Sequence, residues 1–144
     1  MRPLRILHIE DNEGDALLFK RACEVAGLSA ELHLVRDGAE AMAYLQARGD
    51  FARCEQHPPP DIVVLDLKMP GLDGFDFLKW LRNSRAIFSS IPVLVFTNSR
   101  SPEDRSRALR EGAAGYFVKP MNFETLVRLT ESFKRFQGGN WNKN

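Results

Sequence analysis

The chain is short of the features that mark several large protein classes. It has only two cysteines, Cys23 and Cys54, and their spacing suggests neither a zinc site nor a redox Cys-x-x-Cys pair. One buried thiol and one loop thiol in a reducing compartment are expected. No apolar run approaches the ~20 residues that cross a bilayer. The N-terminal MRPLRILHIED leads straight into acids, so neither a membrane span nor a secretory signal is expected, and the location predicted is cytoplasmic. Charge of one sign is missing too, since 20 basic against 19 acidic side chains leave a net charge of +1. The most basic stretch, Arg100, Arg105, Arg107 and Arg110, is broken by Glu103, Asp104 and Glu111. That pattern reads as a solvated helix face and not as a nucleic-acid stripe. Internal repeats and low-complexity linkers are absent from the 144 residues, a length that suits one domain with a sizeable core.

What the chain does contain is alternation of short apolar runs with amphipathic segments. Leu4–Ile9, Ile62–Leu65, Pro92–Phe96 and Tyr116–Val118 read as strands. The Ile62 and Val93 runs lack a polar alternation, as expected of strands covered on both faces of a parallel sheet. Glu31–Val35 alternates at its start, which suits an edge strand. The helical stripes read as Leu18, Ala22, Val25 and Ala26, then Phe77, Trp80 and Leu81, then Phe123, Leu126, Val127, Thr130 and Phe133. Asp37-Gly38 opens the second helix and Gly27 closes the first. Ser101-Pro102-Glu103-Asp104 supplies an N-cap, a proline at the first position and an acid at the third. Five strand–helix pairs in this order predict a doubly wound α/β sheet with right-handed crossovers. The Ser101–Arg110 helix has little to bury beyond Ala108 and Leu109, so it is predicted to be the most easily displaced element. Gly49–Pro60 reads as a long polar loop. The domain is expected over residues 1–137, with 138–144 a frayed tail in which Trp141 is large enough to dock.

In open α/β sheets the site lies beyond the carboxyl ends of the strands. Residues at those ends are Glu10 and Asp11 after the first strand, Asp66 after the third, Thr97 on the fourth, and Lys119-Pro120 after the fifth. Each has a plainer reading alone: Asp11 or Asn12 as a helix cap, Asp66 before Met69-Pro70-Gly71 as a turn residue, Thr97 as a strand-end hydroxyl, Lys119 as a surface lysine. Their coincidence at successive strand ends of one sheet is what argues for chemistry. Three clustered carboxylates repel one another and call for a cation, and oxygen ligands suit Mg²⁺, which commonly binds one or two carboxylates plus water and phosphate. A central carboxylate beside a metal and an ammonium is a reasonable nucleophile for phosphoryl transfer.

The motifs ILHIEDN, VVLDLKMPGLDG, VLVFTNS and YFVKP together resemble the receiver domain of two-component response regulators, from Leu4 to about Phe136. The resemblance implies a five-stranded parallel sheet in the flavodoxin-like order 2-1-3-4-5 with five helices. It implies Asp66 as the phosphoacceptor, with Glu10, Asp11, Asp66 and the backbone carbonyl of Lys68 holding Mg²⁺, or Mn²⁺ in its place. Thr97 resembles the switch hydroxyl, Lys119 the phosphate-binding lysine, and Tyr116 the switch aromatic, whose plainer reading is an edge-strand ring. Lys119–Pro120 is a cis-peptide candidate, since X–Pro bonds carry a weak trans preference. Two residues depart from the commonest pattern: Asn98 after Thr97, and Lys68 two positions after Asp66. Both flank the route of an attacking water and so bear on phosphate lifetime. The Gly49–Pro60 loop followed by DLKMPGLDGF resembles the single-domain regulators paired with phytochrome-type histidine kinases.

The resemblance implies a phosphoacceptor signalling protein and not an enzyme in the usual sense. It takes a phosphoryl group from a sensor histidine kinase, possesses no output domain, and passes the signal to an unidentified downstream protein or through a homodimer, by a face of the fourth and fifth helices. Tyr116 is expected to turn inward on phosphorylation. A flavodoxin-like ligand binder would need a Ser/Thr/Gly-rich phosphate loop where Glu10-Asp11-Asn12-Glu13 stands, and a haloacid-type hydrolase would need a DxD on the first strand. A phosphorylation-independent pseudo-receiver, acting only as an interaction module, remains the alternative.

Overall fold

The structure is a computed structural model in which residues 2–46, 59–69, 71 and 73–136 are described, without the side chains of Ala86 and Ile87. Cys54, Trp141, Pro70, the tail from 138 to 144 and the Gly49–Pro60 loop up to Pro58 lie outside the described residues. Five strands, β1 (Leu4–Ile9), β2 (Ala30–Val35), β3 (Ile62–Leu65), β4 (Val93–Thr97) and β5 (Gly115–Val118), pair in parallel in the order β2-β1-β3-β4-β5. Helices α1 (Glu13–Val25), α2 (Gly38–Leu45), α3 (Gly74–Arg82), α4 (Pro102–Arg110) and α5 (Phe123–Ser132) alternate with them, with one extra helical turn at Ala86–Ser89. This is the doubly wound sheet expected from the alternation, with its strands in the order that the resemblance implies. β2 lies at the sheet edge, as its alternating start predicts.

Successive side chains of a strand point to opposite faces, so each central strand feeds two cores. Leu7, Ile9, Val63, Leu65, Val93 and Val95 pack with Tyr44, Phe77, Leu78 and Leu81 on one side. Leu4, Ile6, Ile62, Val64, Leu94 and Phe96 pack with Phe19, Ala22, Cys23, Leu126 and Phe133 on the other. That two-sided burial is the physical reason the Ile62 and Val93 runs contain no polar alternation.

Caps form where the sequence places them. Asn12, Asp37, Asp73 and Ser101 each accept from a backbone N–H three residues on, and Gly27 turns the chain after α1 at a φ of 70°. Two of the expected helical stripes are corrected. The buried stripe of α1 is Phe19, Ala22, Cys23 and Ala26, whereas Leu18 and Val25 are 53% and 55% exposed. Two stripes one residue apart compete on this helix, and the Phe19 ring, tilted 4.7 Å from His8 and edge-to-face 5.9 Å from Phe96, decides between them. Phe123 likewise leaves the α5 stripe and is partly exposed, while Leu126, Thr130 and Phe133 are buried. On α4 only Ala108 is buried, which matches the thin apolar content of that helix.

Two charged anchors tie the frame together. Arg2 donates both guanidinium arms to Asp61 at 2.8 and 2.7 Å, and the Asp61 carboxylate also accepts from the Arg5 amide. Arg82 reaches from α3 to the carbonyls of Ser89, Ile91 and Gly112 at 2.8–2.9 Å, fastening the connection before β4 and the turn before β5 with one side chain.

Gly74 begins α3 directly against β3's exit. A Cβ there would lie 2.5 Å from Leu67 Cα and 2.9 Å from the Asp66 carbonyl oxygen. Both neighbours are backbone and cannot rotate away. Gly74→Ala is therefore expected to cost about 1–3 kcal/mol in urea unfolding, and a neutral effect would show that this packing gives way. Cys23 is nearly fully buried, and burial pushes its thiol up to about 12. Iodoacetamide mapping of the native protein should leave Cys23 at least about 100-fold slower to react than in denaturant. Equal labelling in both conditions would contradict the packing of α1.

Candidate functional site

The parallel register brings the strand ends to one edge. Ile9 pairs with Leu65, Leu65 with Val95, and Thr97 with Val118. Just beyond the ladder, Glu10 N donates to the Val35 carbonyl, Asp66 N to Ile9 and Lys119 N to Thr97. The residues that follow β1, β3 and β5 are thus held by their neighbouring strands at a fixed height. Glu10, Asp11 and Asp66 consequently offer carboxylate oxygens that all lie within 4.8 Å of one another.

Glu10 and Asp66 are buried while Asp11 is exposed. Buried carboxylates need compensation, and Lys119 gives it. Its Nζ donates to Glu10 Oε1 at 2.6 Å, Asp15 Oδ2 at 2.9 Å and Asp66 Oδ2 at 3.3 Å. Burial pushes the Glu10 carboxyl up to about 7, against the opposing pull of the Lys119 ammonium. Burial alone would lower the lysine, but its bonds to Glu10 and Asp15 outweigh that and hold it above its ordinary value. The second oxygen of each buried acid is satisfied by local backbone, Asn12 N on Glu10 and Lys68 N on Asp66. Burial and the Lys119 charge together push the neighbouring His8 down to about 3, so this ring is neutral in the fold.

Thr97 is fully buried at the end of β4, and its hydroxyl oxygen accepts from Ser99 N at 3.2 Å. Ser99 in turn donates its hydroxyl to Asp104 on α4 at 2.6 Å, and its carbonyl accepts from Tyr116 OH at 3.0 Å. Tyr116 is already turned inward and only 7% exposed. The expected inward movement of this ring thus has no outward starting point in this conformation: the β4–α4 turn offers its hydroxyl a partner from within. Lys119–Pro120 is a cis peptide. Lys68 and Asn98 are both exposed at the rim.

Every residue picked from the sequence therefore lies at this edge or directly behind it. Two contributors were missed. Asp15, one turn into α1, shares the lysine across 104 positions, and Ser99 joins the threonine to the tyrosine. The only prior signal for Asp15 was its place in the first turn after Asn12, which reads as an ordinary helix-start acid. As a cation site the donor set fits: hard oxygen ligands, excess negative charge, and one exposed member, Asp11, open to solvent.

Comparison with known proteins places this geometry in context. Residues 6–131 match the response regulator receiver domain. The probable methanogenesis regulatory protein FilR2 of Methanothrix harundinacea is 36% identical over 98% of this chain and 87% of its own length. Among solved structures, response regulator RPA3017 in red light signalling of R. palustris superposes with a TM-score of 0.84 at 31% identity, covering 95% of each chain. The phosphorylated cyanobacterial phytochrome response regulator RcpA gives 0.80 at 30% identity, covering 93% of each. The Mn²⁺-bound form of Rcp1, a response regulator of Synechocystis, gives 0.79 at 30% identity over 93% of this chain and 94% of that one. Those relatives and the buried acid–lysine edge agree, and the chain belongs to the response regulator receiver family, whose members bind a divalent metal and are phosphorylated on an aspartate by histidine kinases.

Proposed function

We propose that this protein is a phosphorylation-driven signalling switch whose acceptor is Asp66, with Mg²⁺ as its usual metal and Mn²⁺ able to replace it. The observation that carries the reading is the buried Asp66 carboxylate, 3.3 Å from the Lys119 ammonium and clustered with Glu10 and Asp11. Glu10, Asp11, Asp66 and the Lys68 carbonyl would hold the metal, which when bound supplies positive charge against the transferring phosphoryl group. Asp66 attacks phosphorus through a carboxylate oxygen. The N–P bond of the kinase phosphohistidine breaks, and its electron pair returns to the imidazole. Lys119 orients and neutralises the new phosphoryl oxygens, and Thr97 donates its hydroxyl to one of them.

Drawing the Thr97 side chain toward the phosphoryl group moves its oxygen away from Ser99 N and so loosens the turn that holds Asp104 and Tyr116. α4, attached through Ala108 alone among its buried side chains, is the element free to respond. The signal then leaves by the face of α4 and α5, to a downstream protein or to a second copy in a homodimer. Swinging such a switch from 1:99 to 99:1 needs about 5.5 kcal/mol of differential binding, within reach of several charge-assisted bonds. Similarity to RPA3017 and RcpA supports a phytochrome-type kinase as the donor. The buried free thiol of Cys23 suits a reducing, cytoplasmic setting.

Incubation with acetyl phosphate and Mg²⁺ should add one phosphoryl group to the intact mass, reduced at least about 100-fold on chelation or in Asp66→Asn. An unmodified wild type would favour the pseudo-receiver, whose partner binding needs no phosphate.

A further inference from the structure

The acid edge expected of a receiver has three carboxylates, two of which, Glu10 and Asp66, bond Lys119, and Asp15 from outside that edge makes a third claim on the lysine. An ammonium carries three N–H donors, and Lys119 places one on each of Glu10, Asp15 and Asp66. An arriving phosphoryl oxygen gains a bond from Lys119 only by displacing a carboxylate. The three differ in what displacement costs. The side chains of Glu10 and Asp66 are 2% and 8% exposed, so a carboxylate released there would be left desolvated unless the metal took the lysine's place. Asp15 is 36% exposed and can return to water. It also stands outside the Glu10, Asp11 and Asp66 cluster. Its backbone is fixed independently, because Asp15 N donates to the Asn12 cap at 2.9 Å. Its carboxylate is therefore presented to Lys119 from a rigid helix start.

We infer that Asp15 is a positioning residue that holds Lys119 in the unphosphorylated protein and yields it to the phosphoryl group. It thereby sets how much phosphodonor is needed to load the site. This assignment rests on the phosphoacceptor reading of Asp66. Its effect belongs to anion capture and not to bond breaking, so it separates affinity from maximal rate.

The test follows phosphorylation of the full chain by intact mass across an acetyl phosphate series at saturating Mg²⁺. Asp15→Asn keeps shape and removes charge, and should lower the half-saturating acetyl phosphate concentration roughly three- to tenfold, with the maximal rate within about twofold. Asp15→Glu, which retains a carboxylate within reach of the lysine, should return it to the wild-type value. Glu13→Gln removes an equal charge from the same turn with no bond to Lys119 and should leave it unchanged. An Asp15→Asn curve that superposes on wild type, or needs more phosphodonor, overturns the assignment while leaving Asp66 as acceptor. A Glu13→Gln shift of equal size overturns it in favour of general charge. A wild type that never reacts overturns both readings together.

Discussion

One ammonium group is the constraint around which this molecule is arranged. Lys119 is 10% exposed and offsets two carboxylates that are nearly out of water. Without it, Glu10 and Asp66 would each be a desolvated charge facing another of the same sign, an arrangement that costs several kcal/mol per ion. The lysine sits on the last strand and its partners on the first and third, so their meeting depends on β4 standing correctly between them. The charge cluster and the sheet register are mutual conditions. A slip of one residue in β1 or β3 would turn Glu10 or Asp66 toward the opposite face of the sheet.

The hydrophobic cores supply the rigidity this requires. Two separate clusters grip opposite faces of the same strands, so neither face can relax without unbalancing the other. Arg82 and Asp61 act at the far ends of the strands as cross-ties, each satisfying several distant partners with one side chain. The functional edge differs in kind. There the contacts are charged or single hydrogen bonds, and the turn bearing Ser99 is joined to Thr97, Asp104 and Tyr116 by one bond apiece. Firm packing below and sparse bonding above suit the proposed switch, in which a local change in charge becomes movement on one side of the molecule.

Much of this could be read from the sequence, for physical reasons that also explain what could not. Strand positions were legible because two-sided burial leaves uninterrupted apolar runs, and helix starts because Asp37 and Ser101 carry the capping chemistry. The edge residues followed from topology, since parallel strands deliver their final side chains to one place. Periodicity failed on α1, where Leu18 and Phe19 head rival stripes and only the neighbouring rings choose. Pairings across long stretches, such as Arg2 with Asp61 and Asp15 with Lys119, leave no local trace, because each partner alone resembles an ordinary surface charge. Tyr116 was found by its position, but its bond to a backbone carbonyl could not be, as every residue offers one.

The attachment of α4 through a single buried methyl group has a consequence for how such a protein changes over generations. Ala108 is the only side chain of that helix committed to the core. Apart from Asp104, bonded to Ser99, and Arg107, whose guanidinium lies 4.1 Å over the Phe75 ring, its positions are mostly exposed and free to vary with whatever surface they meet. With α4 as the proposed output face, divergence of partner choice accumulates there without eroding the frame, and duplicated copies in one lineage acquire separate listeners while keeping an unchanged charge edge.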